Sequence, residues 1–274
     1  MGSTVGSLNP YQFAFTPANS SQPTLTFGSG TPYIVESVDG LTSLPPLRNQ
    51  DDNRGYIDGS WSGRDFYDAR TITFQIVIIG DSSYNAQHYY KQLQQSLYPQ
   101  QQGFYPSANY PASEQLGVLQ FEITSITGLQ RIYARVRSIE TPLDPDFTYG
   151  YISSTIEFYC PDPRYYDDTP STPSGSAVSV SNAGWATMCP MITIISPSAS
   201  FTITDSNGYQ MIFAGVNTSY PIVIDTLART IYNNGFARQL MTYNSQWLSI
   251  PPFGSSTWTL SSGSMTVTYR NAYV

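Results

Sequence analysis

Hydrophobic positions in the first 160 residues fall into short runs with two-residue alternation or β-branched enrichment, the pattern of strands that bury one face. Segments 32–38 (PYIVESV), 70–79 (RTITFQIVII), 118–126 (VLQFEITSI), 131–139 (RIYARVRSI) and 151–160 (YISSTIEFYC) each read as a strand. In 131–139, Ile132, Ala134 and Val136 share one side, while Arg131, Tyr133, Arg135 and Arg137 share the other. That alternation predicts an arginine face meeting solvent or a partner. One segment has a different period. Over 83–98, Ala86, Tyr89, Leu93 and Leu97 stand three and four residues apart, which predicts one amphipathic helix. Asp81 or Ser82 is the expected N-cap, and Pro99 the stop.

After residue 190 the helical period is absent. Segments 191–196, 200–205, 209–215, 221–226, 229–238, 246–251, 257–262 and 265–270 read as about eight short strands, the spacing of a β-sandwich of roughly 100 residues. Asn233-Asn234-Gly235 and Asp205-Ser206-Asn207-Gly208 are hairpin turn signals, because Asn and Gly tolerate positive φ. Between the two patterned regions lies PDPRYYDDTPSTPSGS (161–176), proline-rich and without an aliphatic side chain. It reads as a linker. The expected organisation is a mainly β chain: a sandwich with one flanking helix over 1–165, a linker over 166–176 and a second sandwich over 177–274.

Composition narrows the function. Charged residues make up 11% of the 274, well below the roughly 25% of an ordinary soluble domain. Tyr (22), Gly (20) and Pro (20) are abundant instead, favouring strands joined by many turns. The net charge is −7 and Lys91 is the sole lysine, so no basic stripe exists to neutralise phosphates. A charge-poor, Tyr-, Ser- and Asn-rich surface suits wet protein contacts or sugar contacts. No basic-then-apolar leader is read at the start, and no apolar run approaches the ~20 residues of a membrane span. Without an export signal, Cys160 and Cys189 are expected as buried free thiols.

Gly80-Asp81-Ser82-Ser83, following an apolar strand, resembles the nucleophile turn of Gly-Asp-Ser esterases. A serine nucleophile needs a base within hydrogen-bond reach. The single histidine, His88, lies six residues on, along the predicted helix, and no late Asp-x-x-His follows. Ser82 therefore reads as a helix cap, and no catalytic residue is assigned. Residues 48–70, RNQDDNRGYIDGSWSGRDFYDAR, concentrate nine charges in 23 positions. Asp51, Asp52, Asp58, Asp65 and Asp68 could hold a cation, yet the interleaved Arg54 and Arg64 oppose one and the EF-hand ligand spacing is absent. Carboxylate-pair hydrolysis is an open alternative that any acidic loop offers. Mixed charge on a Gly-rich loop fits a complementary subunit contact best. Trp247 and Trp258 are either core residues or a stacking platform for a glycan. Phosphate-cradle motifs are absent, and no metal or cofactor is expected.

Several stretches together resemble one family. The N-terminal YIVESVDGLTSLPPLRNQDDNRGYIDGSWSGRDFYDARTITFQIVIIG, then IEFYCPDPRYY, CPMITI, IVIDTLARTIYNNG and WLSIPPFGSSTWTLSSGSMTVTYRNAY, are similar to distal tail proteins of long-tailed phages, notably minor tail proteins of actinobacterial phages. The resemblance implies a tail-tube-like first sandwich that forms a homohexameric ring, and a second sandwich that is galectin-like or a carbohydrate-binding-module-like jelly roll. It implies contacts with the tail tube protein, the tail tip or baseplate hub and the tape-measure protein, DNA passing through the ring without specific binding, and no membrane insertion. The expected location is the distal end of the virion tail, assembled in the host cytoplasm. Fold analogy alone gives no sugar binding; an adhesion protein contacting host glycans through the second sandwich is the alternative.

Overall fold

The computed structural model describes residues 7–18, 21–98, 116–123, 128–237 and 240–274. Pro99, residues 124–126 and Arg238, part of the expected elements, lie outside that set. The chain divides between Tyr165 and Tyr166 into two compact units.

The first unit holds β1 (Phe13–Thr16), β2 (Leu25–Phe27), β3 (Tyr33–Asp39), four two-residue strands β4 (Leu47–Arg48), β5 (Asp52–Asn53), β6 (Ser60–Trp61) and β7 (Phe66–Tyr67), then β8 (Arg70–Ile79), α1 (Ser83–Leu97), β9 (Gly117–Phe121), β10 (Gln130–Glu140) and β11 (Tyr151–Cys160). Seven of them run antiparallel in the order β2-β1-β9-β10-β11-β8-β3. The long strand β10 turns the corner. Its first half pairs β9 through 130–134, and its second half pairs β11 through 135–140, with a bulge between Val136 and Ser138. A bulged strand shared by two sheets folds one onto the other. Between the layers the aromatic rings meet: Phe13 lies edge-on to Phe74 at 5.0 Å between centroids, and Phe15 contacts Phe158 at 5.0 Å. In the core such pairs add to area burial.

Helix α1 covers this core with Ala86, Leu93 and Leu97 fully buried and Tyr89 half-buried, as the three- and four-residue spacing predicted. Tyr33 donates its hydroxyl to the Tyr89 carbonyl at 2.9 Å, fixing helix to sheet. One expectation fails on β10. Arg131 is buried, not on a solvent face, and so is its register partner Gln120. The first half of β10 is covered on both sides, so of its three arginines Arg135 and Arg137 alone are exposed. These two lie over the Tyr159 ring, at 5.0 and 4.0 Å, and Arg137 pairs with Glu157 at 3.6 Å.

The second unit continues with β12 (Tyr165–Asp167), which begins at the division, β13 (Ser174–Gly175), β14 (Ala177–Ser181), β15 (Met191–Ile195), β16 (Ser200–Thr204), β17 (Gln210–Ala214), β18 (Ile222–Asp225), β19 (Thr230–Asn233), β20 (Phe236–Ala237), β21 (Ser255–Leu260), β22 (Ser264–Thr268) and β23 (Ala272–Tyr273). Two antiparallel sheets result, β13-β22-β15-β18-β19-β20 and β14-β21-β16-β17. Each buries alternate residues: Ile192, Ile194, Ile222, Ile224, Met265 and Val267 in one, Val178, Val180, Phe201, Ile203, Trp258 and Leu260 in the other. This is the one-face burial of a two-sheet sandwich. The β19–β20 turn is Asn234-Gly235, both at positive φ (59° and 70°), the conformation a two-residue hairpin loop requires.

Two segments differ from expectation. The proline-rich stretch 166–176 is built into the second unit: Ser171 bridges Tyr269, and β13 pairs β22. Proline tolerates such edge positions. Conversely, 246–251 forms no ladder beyond the bridge of Ile250 to Met188. Pro251 and Pro252 have no N–H to continue one. Nearby backbone covers an edge instead, Gln246 N–H donating to the Gln210 carbonyl and Thr242 N–H to Ile212 on β17.

A candidate assembly surface

The charged stretch at 48–70 folds as a hairpin arm between β3 and β8. Leu47 pairs Tyr67 and Arg48 pairs Phe66; farther out, Asp52 pairs Trp61 and Asn53 pairs Ser60. Every residue from 46 to 68 is exposed. The root is tightly built. Gly40 sits at φ 82°, and a Cβ there would collide with the Thr71 carbonyl, so glycine is required where the chain leaves β3. Arg70, 2% exposed, ends the arm. Its Nη1 donates to the carbonyls of Gly40 (3.1 Å) and Leu41, clasping both ends of the insertion. Its guanidinium lies over the Tyr165 ring at 5.8 Å, while Nε and Nη2 find no acceptor. Burial lowers its pKa.

The residues expected at a subunit contact are therefore gathered on one projection. Asp51 accepts from the Gly63 N–H at 2.9 Å, and Asp68 from the Ala69 N–H at 2.8 Å. Arg54 lies 4.5 Å from the Trp61 ring centre, and Arg64 5.4 Å from Phe66. Asp52 is in the outer ladder, Asp58 in the tip, and Asp65 beside Arg64. Arg48, one of the nine charges, lies 5.7 Å from the Phe66 ring; charge counting missed the exposed apolar companions Leu47, Tyr56, Ile57, Trp61 and Tyr67. The available signal was the aromatic interleaving of WSGRDFY. These exposed apolar groups sit on a two-stranded element with no core of its own.

Elsewhere the geometry argues against the chemical alternatives. Ser82 is the N-cap of α1, its Oγ accepting from the Asn85 N–H at 3.3 Å, and His88 Nε2 is engaged with Gln92 at 3.2 Å. Trp258 is fully buried and presents no face to a ligand, which corrects its candidacy for glycan contact. Trp247 is half-buried. Cys160 is a buried free thiol, and Cys189 is half-buried. Among the described residues no three His, Cys, Asp or Glu side chains converge as a metal site, and no helix is long and apolar enough to cross a membrane.

Known proteins locate this architecture. Residues 183–273 match the family described as siphovirus-type tail component, C-terminal domain. No curated protein matches the chain in sequence. Among solved structures, the Dit protein of phage SPP1 (gp 19.1), described as a paradigm of the hub adsorption apparatus in phages infecting Gram-positive hosts, aligns over 96% of this chain and 99% of its own at a TM-score of 0.64 and 15% identity. The phage P2 baseplate in its activated conformation, with Ca or with Sr, aligns over 94% of this chain and 97% of its own at a TM-score of 0.48 and 12% identity. The second unit is thus similar in sequence to the C-terminal domain of siphovirus-type tail components, and the whole chain shares the SPP1 Dit fold.

Proposed function

We propose that the chain is a non-enzymatic structural protein of a long-tailed phage, of the distal-tail type. Six copies form a ring through the first unit, and the ring joins the tail tube to the tip or baseplate hub around the DNA channel. Its neighbours are the tube protein, the hub and the tape-measure protein, and its place is the distal end of the tail. The observation that carries this reading is the family match over 183–273. The fold shared with SPP1 Dit over nearly the full chain supports it. So does the arm, because a ring needs two different complementary faces on every subunit. The acidic, lysine-poor chain fits a channel past which DNA slides, since few cations are offered to its phosphates. Mass measurement with negative-stain imaging tests the proposal: six-fold rings are expected, and a protein that stays monomeric at every concentration counts against it.

A further inference from the structure

Within the arm, hairpin register and ring contacts gather the arginines of the sequence. Arg48, Phe66 and Arg64 form one stack, with both guanidinium groups over the ring. Arg54 over Trp61, which pairs Asp52, forms a second. Within each two-residue ladder neighbours face opposite ways, so Leu47 and Tyr67 lie across the hairpin from Arg48 and Phe66. Between the ladders, residues 49–51 and 62–65 are not strand, and the Gly63 N–H donates to Asp51 there. The three arginines are thus gathered on two aromatic rings, with Asp52 paired to one of them, and Asp51 and Asp65 stand next to them in the chain, outside the two stacks.

A two-stranded hairpin is marginal in water by itself, and this one is exposed on both faces. We propose that the arm is a self-complementary connector with an arginine–aromatic face and an Asp51/Asp65 face, the first packing on the second of the arm in the next copy. Charge complementarity within a single element argues for a second copy of this chain as occupant. Pairing unlike faces is also a head-to-tail contact, the kind that propagates around a ring. Leu47 and Tyr67 offer the apolar surface that Phe66 and Trp61 need. A nucleic acid is a poorer occupant, because Asp52 stands among the arginines and the acidic face would be left uncovered. This inference rests on the ring reading and names the contact within it.

Three full-length variants test it by concentration-dependent mass measurement, with circular dichroism to verify folding. Arg48→Glu/Arg54→Glu/Arg64→Glu and Asp51→Arg/Asp65→Arg each place like charges face to face, and should raise the concentration needed for assembly at least about tenfold. The chain carrying all five substitutions has its faces exchanged and should regain assembly. If both single-face variants assemble like the parent chain, the contact is wrong while the ring reading stands. If they fail and the five-fold variant also fails, the arm meets a different surface and self-complementarity is overturned. Binding of a single-stranded oligonucleotide by the parent chain, lost in the arginine variant with assembly intact, would assign that face to nucleic acid instead. A parent chain that never assembles overturns both readings.

Discussion

Arg70 spends a buried guanidinium on two backbone carbonyls and leaves two of its nitrogens, Nε and Nη2, without an acceptor. Its role is local: it ties Gly40 and Leu41 to the start of β8. Arg70→Met fills similar volume but strips those carbonyls of their donor, and should cost about 1–3 kcal/mol in urea unfolding. Arg70→Ala should cost more, because it also opens a cavity. The two tryptophans separate in the same way. Trp258→Ala should destabilise by about 3–5 kcal/mol, with a much smaller loss for Trp247→Ala in thermal unfolding; equal losses would make both core residues. Burial also sets the response to alkali. It pushes the Tyr33 hydroxyl up to about 12 from 10.0, with Tyr89 adding a smaller push, and the Cys160 thiol up to about 12 from 9.0. Both groups hold their protons more tightly folded than unfolded. Their contribution is therefore complete below pH 9, and is lost as pH rises from 9 towards 12. Denaturant midpoints across that range should fall, and Phe at Tyr33 should flatten its share of the slope.

At the scale of elements, the long strands and the helix were legible because their environments are simple. β8 and β11 alternate over ten residues each, and their bounds coincide with the expected 70–79 and 151–160. Ser82 caps α1 as its chemistry requires, and Ser82→Ala should cost about 1 kcal/mol, seen as a small drop in melting temperature. Other elements gave no such signal. β1 is buried at all four positions, so it shows no alternation, and β2 is only three residues long. The segment 246–251 has strand-like residues but runs into Pro251 and Pro252, and neighbouring backbone groups cap β17 instead. Arg131 broke the expected pattern because its half of β10 is covered on both faces. The candidate surface was half legible. Its charges stand out in the sequence, but gathering the arginines on Phe66 and Trp61 depends on a cross-strand register that no spacing rule in the sequence reveals.

For the whole molecule, the consequence is that folding and assembly should be separable. The arm contributes no buried residue between 46 and 68. The parts that anchor it, Gly40, Leu41 and Arg70, lie outside that span and stay with the core. Replacing 47–67 by a short Gly/Ser connection should therefore leave a folded first unit. Loop-closure entropy changes only slowly with length, so the melting temperature should shift by little. Assembly should nevertheless be lost, giving a folded monomer by sedimentation. Salt offers an independent reading of the same contact. Exposed charges interact over a Debye length of about 8 Å at physiological ionic strength and about 3 Å at 1 M, so a contact between an arginine face and an aspartate face should loosen as salt rises. The stacked Trp61 and Phe66 surfaces do not depend on screening, so the loss should be partial. A salt-insensitive assembly that also survives removal of the arm would transfer the ring contact to the body of the first unit. An assembly that weakens in salt and disappears with the arm places it on the hairpin.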